Sequence, residues 1–116
     1  MGWQWTMNRG REPRTKNQEP AEGEAIAALR AVVRGRVQGV NFRDFVCTRA
    51  RVLRLTGYVR NLADGRSVEV VAEGERSDLE QLLEYLHEGP GTALVQGVDV
   101  EWGEASGRYQ DFGIAF

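Results

Sequence analysis

The chain has 116 residues, of which 41% are hydrophobic, and a formal net charge of −2. That length and composition suit one globular domain with its own core. No apolar run approaches the roughly 18 residues of a membrane helix, and the N-terminus lacks the apolar stretch of about 7 or more residues that marks a signal peptide. No membrane partner is expected. A single cysteine, Cys47, excludes an intrachain disulfide and agrees with a cytoplasmic location.

Charge is unevenly spread. Residues 1–28 balance four Arg/Lys against four Glu, residues 29–60 hold eight Arg and one Asp, and residues 61–116 hold three Arg against twelve Asp/Glu. The basic block predicts a small anion drawn in by a local field, whereas a long nucleic acid would meet the acidic remainder. No nucleic-acid partner is expected.

Met1 to Ala28 is polar, contains Pro13 and Pro20, and shows no periodicity. It reads as a flexible extension (residues 1–28) to a domain spanning residues 29–116. Trp3 and Trp5 are the exceptions, aromatic residues able to dock on the domain.

The domain opens with an alternating strand, Leu29, Ala31 and Val33 on one face and Arg30, Val32 and Arg34 on the other. It runs into Gly35-Arg36-Val37-Gln38-Gly39-Val40. A helical pattern starts at once, with Phe42, Phe45, Val46, Cys47, Ala50 and Leu53 at three- and four-residue spacings. A strand, a glycine loop and a helix N-terminus together make an anion cradle, because the first-turn N–H groups have no partners within the helix. The expected phosphate-binding positions are therefore Gln38, Gly39, Val40, Asn41, Phe42 and Arg43, mainly through their backbone. Asn41 suits an N-cap, with Asp44 imitating a capping box. Arg43 falls in the first turn, where a cation is unfavourable unless an anion joins it. Cys47, inside the helix pattern, reads as a small buried hydrophobe.

Gly57 is the expected helix stop, and Gly57 to Ala63 reads as a strand. Asp64-Gly65 is a hairpin turn signal leading to a third strand, Arg66 to Glu73. Ser77 and Glu80 suggest a capping box before Leu79, Leu82, Leu83 and Leu86, the stripe of a second helix. Gly89-Pro90-Gly91 ends it, and two more strands fit within residues 93–102 and 109–116. The order is βαββαβ plus a C-terminal edge strand. That order predicts an α+β fold with two helices on one face of a mainly antiparallel sheet, an α/β sandwich of the ferredoxin-like kind. A helical crossover makes strands one and two parallel, so the end of strand two lies at the same sheet edge as the glycine loop. Asn61 sits at that end, on the face of Val59, and is expected to face Arg43.

Two blocks, G-R-V-Q-G-V-x-F-R over Gly35–Arg43 and G-Y-V-R-N over Gly57–Asn61, resemble the signature of the acylphosphatase family. The likeness runs from Leu29 to Phe116 and includes Asp64-Gly65, Gly89-Pro90 and the aromatic C-terminal strand. Asn41 departs from it, at a position where glycine or an aromatic residue is common in the family. The resemblance implies hydrolysis of acyl phosphates to a carboxylate and inorganic phosphate, with Arg43 and Asn61 as the catalytic residues.

The residues agree with that chemistry. Arginine stays charged and can grip phosphate oxygens bidentately. Asparagine can hold a water, though it is no base. Phosphoryl transfer needs mostly positioning and charge, and a carboxylate whose parent acid has a pKa of about 4 departs without an acid. No metal or cofactor is called for, and a monomer is the default expectation. Glu73 and Glu75 read as a solvated face, and His87 has no His or Cys partner for a zinc site or triad. The rival reading is a non-catalytic module on the same fold, binding a small anion or a regulatory ligand. An RNA platform is disfavoured, because Ser67, Glu69, Val71 and Glu73 stand where stacking aromatics would be needed.

Overall fold

The computed structural model of the chain describes residues 25–116. The expected extension, with Trp3 and Trp5, lies outside the described residues except for Ala25 to Ala28. The described chain contains β1 (Ile26–Arg36), α1 (Phe42–Val52), β2 (Thr56–Asn61), β3 (Ser67–Glu75), α2 (Arg76–Glu88), β4 (Leu94–Gly103) and β5 (Phe112–Ile114). This is the expected βαββαβ order with a short terminal strand, and β1 begins three residues before Leu29.

The strands form one sheet in the order β4-β1-β3-β2-β5. β1 and β2 each pair antiparallel with β3 between them, so they run parallel to one another. β5 pairs parallel with β2, making the sheet mixed. The sheet's inner face supplies Leu29, Ala31, Val33, Val59, Val68, Val70 and Ala72 to a core shared with Val46 and Ala50 of α1 and Leu79, Leu82 and Leu86 of α2. The period-two and period-3.6 stripes of the sequence meet there, and burying them is the main drive to fold. Cys47 is buried, as expected.

Local signals were less faithful. α1 ends at Val52, and the chain turns through Arg54, whose φ of 60° is left-handed. Gly57 is not the stop but a buried residue of β2, and its reason for being glycine is different. Its φ is 136°, and a Cβ would collide with the Val71 carbonyl of β3. Ser77 does not cap α2 either. The N-cap is Glu75, no side-chain bond caps the helix, and Glu80 instead meets Arg76 at 3.2 Å.

The sheet's outer face carries two buried carboxylates, Glu69 and Glu73, of which Glu73 was expected to be solvated. Glu69 is only 4% exposed, and Oε2 accepts from Arg30 Nε at 2.7 Å while Oε1 accepts from Arg60 Nε at 2.6 Å and Tyr58 OH at 3.3 Å. Glu73 is equally buried. It accepts from the Ser106 backbone N–H and hydroxyl and from the Gly107 N–H, which anchors the chain leading to β5. Burial pushes the Glu69 carboxyl up, but the hydrogen bonds from Arg60 and Arg30 outweigh it and hold it below the ordinary 4.5.

Two predictions follow from this packing. Because the folded pKa of Glu69 is depressed, its contribution to stability is present above about pH 4.5 and is lost as pH falls through the folded value. Urea unfolding from pH 7 to pH 3 should show that loss, and Glu69→Gln should cost about 1–3 kcal/mol at neutral pH while flattening the acid limb. Gly57→Ala should cost about 3 kcal/mol or more, combining backbone strain with a clash against a neighbouring strand. A shift in the urea midpoint checks it.

Candidate active site

β1 ends at Arg36, and the five residues before α1 form a loop whose geometry is set by contacts on both sides. The Gln38 carboxamide donates from Nε2 to Leu62 O and Ser67 O, both at 2.9 Å. On the other side Thr92 Oγ1 donates to Val40 O at 2.9 Å. Gly39, with φ of 75°, and Asn41, with φ of 64°, both take left-handed conformations and curl the chain. Asparagine tolerates that region better than most residues, so it can stand where glycine is common.

Asn41 occupies the N-cap position, but its left-handed backbone leaves its side chain making no capping bond, and the expected capping box is absent. The first backbone bond into the helix is Phe45 N–H to Asn41 O at 3.1 Å. Among the described residues, the N–H groups from Gly39 to Asp44 donate to no recorded acceptor. A helix N-terminus with its donors unengaged carries partial positive charge.

Beside these donors is an open cavity of about 270 Å³, lined by Val37, Gly39, Asn41, Phe42, Arg43, Asp44, Ile114 and Phe116. Four of the expected phosphate-binding residues, Gly39, Asn41, Phe42 and Arg43, therefore share one concavity. Gln38 and Val40 do not line it; they fix the loop that does. Arg43 is half-buried, and its guanidinium carbon lies 5.7 Å from the centre of the Phe116 ring. Arg43 and its neighbour Asp44 form no ion pair.

Asn61 ends β2, on the same inner face as buried Val59. It is not among the cavity-lining residues, but the Gln38 bond to Leu62 O holds the loop against its neighbour. Asn61 Oδ1 is buried and has no hydrogen-bond partner among the described residues. A buried acceptor of that kind is uncommon and is under pressure to find a donor. Among the described residues no group of three or more His, Cys, Asp or Glu side chains is placed to share a metal ion.

The sequence reading missed the cavity's second wall. Ile114 and Phe116 belong to the alternation Phe112, Ile114, Phe116, and that period was the available signal. What sequence could not supply is the parallel pairing with β2, Gly57 to Phe112 and Val59 to Ile114, which carries them to this edge.

Comparison with known proteins agrees with the geometry. The Acylphosphatase family model matches residues 29–114. An acylphosphatase of Dehalococcoides mccartyi is 51% identical over 86 residues, covering 74% of this chain and 94% of the relative. One from Thermus thermophilus is 53% identical over 79 residues, covering 68% and 89%. The crystal structure of the Bacillus subtilis acylphosphatase superposes with a TM-score of 0.74 at 36% identity, covering 78% of this chain and 99% of that one. With the ferredoxin-like sandwich, the glycine loop and both sequence blocks in place, the chain belongs to the acylphosphatase family and is a hydrolase of that type.

Proposed function

We propose that the protein hydrolyses the carboxyl–phosphate bond of acyl phosphates at the cavity before α1, with Arg43 binding the phosphoryl group and Asn61 orienting the attacking water. The observation that carries this reading is the set of unengaged N–H groups around Gly39–Asp44, sharing a cavity with Arg43. A phosphoryl group presents three oxygens, and loop amides plus a planar guanidinium can meet them without any proton leaving the protein.

In this reading Gln38 and Thr92 hold the loop rigid, so the amides need little reorganisation on binding. Asn61 Oδ1 accepts a hydrogen bond from the water and holds its oxygen in line with the phosphorus. The water oxygen bonds to phosphorus, and the bond from phosphorus to the bridging oxygen breaks with its electron pair. That pair leaves on the carboxylate, and the water's protons pass to the phosphate product and solvent. No general acid is required, because the leaving carboxylate is the base of an acid with pKa about 4. Inorganic phosphate is the second product and the natural competitor for the same donors. We further propose that the enzyme acts as a monomer in the cytoplasm.

The roles separate in kinetics, with benzoyl phosphate as substrate. Asn61→Ala should lower kcat by about a hundredfold or more while KM and phosphate inhibition change little, because water positioning acts at the transition state. Asn61→Asp is nearly isosteric and should be as inactive. If it matches wild type, a general base is at work and the water-orienting role is wrong.

Arg43→Lys should fold normally yet lose most activity, since an ammonium cannot replace a bidentate fork. Titration with inorganic phosphate, followed by amide NMR, should shift Gly39 to Asp44 in the wild type and do so more weakly in Arg43→Lys. Shifts confined to the surroundings of Arg66 would place the anion site elsewhere.

A further inference from the structure

We propose that Phe116 is a specificity-determining residue, forming with Ile114 an apolar wall that selects acyl phosphates whose acyl group is aromatic or bulky and apolar. The inference rests on the hydrolase reading above and adds the class of acyl group to it.

Three observations carry it. First, the cavity has two unlike sides. Gly39, Asn41, Arg43 and Asp44 bring backbone donors and charge, whereas Ile114 and Phe116 bring hydrocarbon. Second, the alternation along the last strand is graded. Phe112 is buried in the core, Ile114 is partly buried, and Phe116 is 99% exposed. The first of these rings serves the fold, but the last contributes nothing to the core. Its recorded ring contact is the distant one to Arg43. Third, the register of β5 on β2 pairs Val59 with Ile114, and Ala115 N–H donates to Val59 O at 2.9 Å. Continued by two residues, that register sets Phe116 level with Asn61.

An acyl phosphate placed with its phosphoryl oxygens on the loop has its acyl group across the bridging oxygen, on the side away from those donors. The wall available there is Ile114 and Phe116. An exposed ring gains from covering another apolar surface, and aromatic pairs add an offset or edge-to-face preference. A methyl group would touch little of it.

The test compares kcat/KM for benzoyl phosphate and acetyl phosphate in the wild type, Phe116→Ala and Phe116→Leu. The wild type should favour benzoyl phosphate. Phe116→Ala should lower kcat/KM for benzoyl phosphate about tenfold, mainly through KM, as expected for loss of part of an aromatic contact. Acetyl phosphate should be nearly unaffected, and Phe116→Leu should recover part of the difference. An equal loss on both substrates would mean that the ring acts by steadying Arg43, and would overturn the inference while leaving the hydrolase reading intact. Unchanged rates on both would overturn it in the same way. A wild type that hydrolyses neither substrate would instead overturn the hydrolase reading, and this inference with it.

Discussion

The Gln38 carboxamide is the contact on which the site depends. By donating to the carbonyls of both Leu62 and Ser67 it ties the glycine loop to the β2–β3 hairpin, two segments separated by more than twenty residues. Without that tie, a loop containing two left-handed residues would have many conformations open to it. With it, the amides before α1 and the end of β2 are held at one sheet edge. The hairpin is itself stiffened by Asp64, whose carboxylate accepts from the N–H groups of Arg66 and Ser67 and from the Ser67 hydroxyl. The rigidity of the cradle is thus borrowed from a turn well outside it.

The second support reaches the site from the opposite side. β5 is only three residues long and pairs along one edge, too little to hold its own position. Helix α1 secures it, with Arg51 Nε donating to Phe112 O at 3.0 Å and the Cys47 thiol lying 3.7 Å from the same oxygen. Glu73 fixes the approach to β5 through Ser106 and Gly107. The helix that offers its N-terminus to the cavity therefore also positions the wall across from it, and the two sides cannot move independently.

Electrostatics divide the molecule into two faces. On the outer sheet face, Arg30, Arg34 and Arg60 each meet a carboxylate, and buried Glu69 gathers two of them. Arg43, by contrast, has no carboxylate partner among the described residues and lies near an aromatic ring. An arginine without a carboxylate partner beside backbone donors contributes positive potential to the cavity. An uncompensated arginine near a helix N-terminus is unfavourable in the empty protein and becomes favourable when an anion arrives.

Much of this was legible in the residues alone. The alternation of β1 and the leucine stripe of α2 identified their elements, because burying a face imposes a period on the sequence whatever the neighbours are. The two signature blocks pointed to the loop, Arg43 and Asn61 as the proposed site, because the residue types suit phosphate chemistry. Tertiary structure decided what depends on neighbours distant in sequence. Gly57 looked like a helix stop, yet it is glycine because the Val71 carbonyl lies where its Cβ would be. Glu73 looked solvated until a loop from beyond β4 closed over it, and nothing in the sequence showed that arginines from β1 and β2 would converge on Glu69. Phe116 looked like the end of a strand until parallel pairing brought it to the cavity. A period can be read from a single segment, but which backbone or side chain arrives opposite a residue is set by packing, and packing involves the whole chain.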